Sequence, residues 1–218
     1  MKSALAKSIL LNSPLITTGR ELEARQLHLT SGKLDLSGVR GQLVEVRSVG
    51  SPAGLSAVCV LIKEAQAERE PIAWIMTHDS IFYPPDLIEQ GIDVGAMVVI
   101  KVHGARLGAR AADHLLRSGA FGLIVIDLGE DTNIPGPSQN RLMQWAHKHQ
   151  TAVVCLTRFE DAENDEDHRS LGTMVALSVE VRKEAGESGF VCTARALRNK
   201  RGGAWRSERR HCGPVGMR

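Results

Sequence analysis

The stretch Leu43–Ala57, LVEVRSVGSPAGLSA, decides the fold. An apolar run from Leu43 to Val49 ends in a Gly/Pro/Ser loop, and Ser56 opens an apolar helical stretch. Val58, Leu61, Ile62 and Ala65 share one face of the helix predicted over Ser56–Arg69. Gly50 and Gly54 supply the backbone freedom that a tight strand-to-helix turn uses. Strand, turn and helix in this order predict the first unit of an α/β sheet.

Outward from this corner the rhythm repeats. Strands are predicted at Ile72–Thr77, Met97–Val102, Phe121–Asp127 and Thr151–Leu156. Pro84-Pro85 open a short helix, where Pro fits the first turn, and Gly91 ends it. Longer helices are predicted at Arg106–Ser118, closed by Gly119, and at Ser138–His149. The run Phe121–Asp127 is almost continuously apolar, as a strand covered on both faces must be. This alternation predicts a parallel sheet with right-handed crossovers. It then stops: Thr173–Arg182, Phe190–Arg198 and Trp205–Cys212 read as strands joined by short turns, EAGESG and NKRGG. Such a run predicts antiparallel hairpins on one edge of the sheet. Ahead of the corner, a helix is predicted near Glu21–Gln26.

Composition narrows the function. The 218 residues are 43% hydrophobic, enough for one globular α/β domain. Aromatics are only 4%, which argues against broad base-stacking platforms. No apolar run approaches the ~18 residues of a membrane span. The apolar block Ile9–Leu11 is too short for a signal peptide, so a cytoplasmic location is expected. Cys59 and Cys155 lie inside apolar runs and are expected to be reduced and structural. None of the four cysteines forms a C-x-x-C pair, so neither a zinc site nor any other metal or cofactor is expected. His147 and His149, two apart on a predicted helix, are read as solvated.

The corner also sits where a phosphate loop would. That motif, G-x-x-x-x-G-K-[ST], cradles phosphates with backbone N–H groups, while its Lys reaches the terminal oxygens and its hydroxyl holds Mg²⁺. Gly54 and Ser56 match. Leu55 stands in place of the Lys, and Gly50 lies four residues before Gly54, one closer than the motif requires.

In this order the chain resembles the RecA recombinase core. The resemblance runs over roughly residues 38 to 206 and rests on four stretches. They are LVEVRSVGSPAGLSAVCVLIKEAQ, AWIMTHDSIFYPPDLIEQGIDV, ADHLLRSGAFGLIVIDLG, and TMVALSVEVRK followed by RALRNKRGGAW. The YPPDLIEQGID segment and the missing Lys are most similar to the ImuA family, accessories of translesion mutasomes and relatives of SulA-type division inhibitors. The resemblance implies a RecA-like P-loop core over 38–213, an N-terminal segment over 1–37 and a short tail over 214–218. It also implies a nucleotide site built from Gly50, Gly54, Leu55, Ser56, His78 and Asp127. Asp127 matches the Walker B acid and His78 the position of the water-activating Glu, while Thr157 takes the place of a nucleotide-sensing Gln. With the Lys lost, the site is expected to be degenerate and the chain not to be an enzyme.

The expected function is therefore that of a non-catalytic adaptor in SOS-linked translesion synthesis and DNA repair. Its partners would be RecA, ImuB and the error-prone polymerase. Alternatives are a SulA-like inhibitor binding FtsZ and a weak ATPase with a divergent phosphate loop. The six Asp/Glu between Glu160 and Asp167 would repel phosphates where RecA holds DNA. The chain from Arg195 onward instead carries eight Lys/Arg against one Glu, net +7, and leaves −5 on the rest. Lys200, Arg201, Arg206, Arg209 and Arg210 are the candidates for a weak, sequence-independent DNA contact or an acidic partner. No membrane contact is expected.

Overall fold

The computed structural model describes residues 34–77, 82–159, 170–186 and 189–212, with Gly186 and 209–212 described by backbone alone. The helix expected near Glu21–Gln26, His78 and the acidic stretch Glu160–Asp167 lie outside the described residues.

Eight strands form one sheet: β1 Leu43–Val49, β2 Ile72–Met76, β3 Met97–Lys101, β4 Leu123–Gly129, β5 Ala152–Phe159, β6 Leu177–Gly186, β7 Gly189–Asn199 and β8 Arg206–Cys212. Their spatial order is β3-β2-β4-β5-β1-β6-β7-β8. The first six are parallel to their neighbours; β7 and β8 are antiparallel additions. The protein is thus α/β, with a mostly parallel sheet flanked by helices and an antiparallel C-terminal edge, as the alternation predicts.

One strand departs from the expectation. β6 was expected to begin at Thr173 and to belong wholly to the hairpin run. It begins at Leu177 and pairs parallel to β1, with Val46 opposite Val179. Only its other side makes the antiparallel hairpin with β7. The chain between β5 and β6 is long enough for the crossover that a parallel pair requires, and a 3₁₀ turn over Gly172–Met174 ends it.

The helices divide between two faces. α1 Leu36–Val39, α2 Ala53–Ala67 and α3 Pro84–Glu89 lie on the first; α4 Gly104–Ser118 and α5 Gly136–His149 lie on the second. Alternate residues of each strand feed the two cores. Val44, Val46, Trp74, Val125 and Val154 pack under α2, whereas Leu43, Ile75, Ile126 and Val153 pack under α4 and α5. Leu34 and Leu36 are buried in the first core, so the packed unit begins no later than residue 34, ahead of the expected boundary at 38. Asp35 caps α1 by accepting the Gly38 N–H at 2.8 Å, and Glu64 of α2 accepts the Leu36 N–H at 2.7 Å.

Helix ends follow their local chemistry. α4 closes at Gly119 in the left-handed conformation, φ +66°. That turn runs against the ring of His149, so His149 is half-buried rather than solvated. The ring stacks on Trp145 at 5.8 Å, and its Nε2 is buried without a partner. His147, two positions earlier, is exposed as expected.

Candidate functional site

β1 ends at Val49 and the chain turns at Gly50, φ +72°, a conformation that costs other residues about 1–2 kcal/mol. The helix begins at Ala53, three residues before the expected start at Ser56. Pro52 at the N-cap offers no side-chain acceptor, so the new helix needs one from elsewhere. Ser48, still in β1, supplies it: its Oγ accepts the Gly54 N–H at 2.8 Å. Gly54 is required for this approach, because a Cβ there would stand 2.6 Å from the Ser48 hydroxyl.

Two further donors of the turn are also committed. The Gly50 N–H donates to the Phe159 carbonyl at 2.9 Å, and the Ala53 N–H to the Ser51 carbonyl at 2.7 Å. Pro52 has no N–H. A phosphate nest needs these groups to converge on an open space. Here Gly50, Ala53 and Gly54 aim theirs at the protein's own oxygens.

Beside the turn, at the C-terminal ends of the strands, lies a cleft of ≈ 290 Å³. Connections leaving β2 and β4 run in opposite directions there, which is where open α/β sheets place their binding crevices. Leu55 and Asp127 both line it, together with Ser48, Trp74, Asp86 and Arg158. The turn and the acid that the sequence paired do therefore meet at one cleft. Ser56 does not line it. Leu55, half-buried against the first core, presents methyl groups where the phosphate motif has an ammonium. Two carboxylates and one guanidinium make this lining a poor receiver of a triphosphate.

Thr157 also lines the cleft, since β5 runs three residues past its expected end at Leu156. Its hydroxyl approaches Glu45 Oε1 at 3.5 Å. Glu45, in the middle of β1, is fully buried on the second face. Its other donors are Ser170 Oγ at 2.9 Å, Ser178 Oγ at 3.1 Å and the Leu171 N–H at 3.2 Å. The carboxylate thus ties the chain entering β6 back onto β1. A carboxylate two residues into a strand that starts Leu-Val was the signal for this cluster, and sequence reading passed over it.

The basic candidates are dispersed. Lys200 Nζ donates to the Thr173 carbonyl at 2.6 Å, and Arg206 pairs with Glu208 at 2.8 Å. Arg201 is exposed on the turn between β7 and β8. Arg209 and Arg210 occupy consecutive positions of β8, opposite Cys192 and Val191. Arg195, beside this strand, pairs with Glu180 at 3.3 Å, so the edge is a mixed-charge ladder rather than a uniform basic stripe. Trp205 packs against the first core.

Cys59, Cys155 and Cys192 are free and buried. Burial pushes the Cys59 thiol up to about 11, and raises Cys155 further with help from Glu45. Both stay protonated at neutral pH, as structural thiols do. Among the described residues, no cluster of three His, Cys, Asp or Glu side chains is placed to hold a metal ion. No helix among them is long and apolar enough to cross a membrane. The chain matches no protein-family model, and no curated protein is significantly similar to it.

Proposed function

We propose that this protein is a non-catalytic RecA-like accessory factor, similar to ImuA, that acts by binding other proteins in translesion synthesis and DNA repair. One observation carries the non-catalytic part. The turn and Asp127 share a cleft at the sheet's C-terminal edge, yet the turn's N–H groups are spent on Ser48, Ser51 and Phe159 and Leu55 replaces the cation. Phosphoryl transfer depends almost wholly on positioning and charge neutralisation, and the described turn brings neither a Lys nor the Gly50, Ala53 and Gly54 N–H groups to this cleft. The RecA-like assignment itself is supported by the sequence resemblance. It agrees with the strand-turn-helix corner and with an acid-bearing strand two places along the sheet.

In this reading the partners are RecA, ImuB and the error-prone polymerase, and the surfaces that matter are protein-binding ones. Pull-down and gel filtration of the purified chain with RecA and with ImuB test it. A complex with at least one is expected; failure to bind either overturns the adaptor assignment. A fluorescent ATP analogue is expected not to bind. Tight binding that is lost in Asp127→Ala would overturn the non-catalytic reading.

A further inference from the structure

Three of the chain's eight aromatic residues line the single cleft described above: Trp74, Phe82 and Tyr83. That concentration is more than packing demands, because Tyr83 is 57% exposed. Trp74 and Phe82 meet at 5.6 Å between centroids with planes tilted by 55°. Asp86, in the first turn of α3, and Asp127, near the end of β4, join the same lining. Arg158, exposed, lines the cleft too, so among the described lining residues two carboxylates stand against one guanidinium.

From this lining we infer that the cleft is a receptor for a cationic side chain, an arginine presented by a partner protein. Aromatic faces attract cations through the ring quadrupole, and neighbouring carboxylates add Coulomb attraction. Arginine suits this lining better than lysine because its guanidinium is planar, weakly hydrated and able to stack on a ring. The cleft volume of ≈ 290 Å³ is at the lower limit of small-ligand pockets, which fits one side chain better than a nucleotide. A second observation points the same way. Trp74 is buried on the cleft wall, yet its Nε1 has no acceptor. A peptide carbonyl arriving beside the arginine is an acceptor of the right kind.

This site assignment rests on reading the cleft as one without phosphate chemistry, but not on which protein is the partner. The full chain is titrated with acetyl-Gly-Arg-Gly-amide while the Trp74 indole N–H is followed by NMR. Trp145→Phe and Trp205→Phe leave that signal identified by elimination. The arginine peptide is expected to shift it saturably. The citrulline peptide, isosteric and uncharged, is expected to bind at least ~5-fold more weakly, and Asp86→Asn should weaken arginine binding ~3- to 10-fold. Mg·ATP should leave the signal in place.

No shift with arginine, an equal shift with citrulline, or a stronger one with Mg·ATP overturns the inference. Tyr83→Ala, at an exposed position, supplies a second variant if Asp86→Asn disturbs α3. A saturable arginine shift with no RecA or ImuB complex would retain the cleft and remove the named partners. A complex that forms without any shift would do the reverse.

Discussion

β1 carries two polar constructions of opposite character, three residues apart and on opposite faces of the sheet. On the first face Ser48 caps α2, beside the turn that looks like a phosphate loop. On the second face Glu45 is wholly buried, yet it receives three hydroxyls and a backbone N–H. Three N–H groups of the conspicuous motif are directed to the protein's own oxygens, on Ser48, Ser51 and Phe159. The inconspicuous glutamate is the real electrostatic commitment of the strand. Burying a carboxylate is costly unless hydrogen bonds replace its water, and here four donors do so. A conspicuous motif can therefore have N–H groups directed to the protein's own oxygens, while a buried charge within a strand is structurally central.

Removing Glu45 tests that contrast with the largest expected effect. Glu45→Ala strands Ser170, Ser178, Thr157 and the Leu171 N–H, and should cost about 3–5 kcal/mol of stability by denaturant titration. Glu45→Gln should cost about 1–2 kcal/mol, because the serine hydroxyls can turn to accept from its amide. If the two variants lose equally, the negative charge itself, and not hydrogen-bond capacity, is what the cluster needs.

A pH effect comes next. An unfolded Cys59 ionises near 9.0, while the folded protein holds the proton to about 11. The unfolded state therefore loses this proton first as pH rises. The stability from Cys59 is complete below pH 9 and declines between pH 9 and 11. Urea midpoints at pH 8, 9.5 and 10.5 should fall more steeply in the wild type than in Cys59→Ala. Parallel curves would show that α2 does not hold this thiol as tightly as its burial indicates.

Gly54→Ala drives a methyl to within 2.6 Å of Ser48 Oγ and disturbs the cap. A loss of about 1–2 kcal/mol is expected, and most of it should disappear when measured in a Ser48→Ala background. Additive losses would mean that the glycine serves the turn by some other contact.

The smallest expected effect is the sharpest test of the turn. Leu55→Lys restores the motif's cation but not its donors, so Mg·ATP affinity by calorimetry should remain undetectable. If this single change restores binding, the missing cation alone silenced the cleft, and the committed N–H groups are irrelevant.

Much of this architecture was legible along the chain. β1 matches its predicted limits, Leu43–Val49, because an apolar run bounded by Gly50 admits few alternatives. Gly91 and Gly119 mark helix ends for the same reason: both take positive φ. The start of α2 was not legible, since Pro52 is an unusual N-cap and the actual cap comes from Ser48 in the preceding strand. The pairing of Arg195 with Glu180 was not legible, because charge along the sequence does not report cross-strand neighbours. Trp74, Phe82 and Tyr83 lie near one another in sequence but read as strand core and loop. Their shared cleft needs the ends of β1, β4 and β5 to close it.

The sequence by itself determined the α/β class, most elements and the presence of Leu55 where the phosphate motif has a Lys. Those follow from local periodicity, from glycine's conformational range and from residue identity. Tertiary structure alone decided that β6 runs parallel to β1, that the Phe159 carbonyl takes the Gly50 N–H, and that Glu45 is held by four donors. Each depends on partners more than a hundred residues away along the chain, and hydrogen-bond donors and acceptors become committed only when folding brings them within about 3 Å.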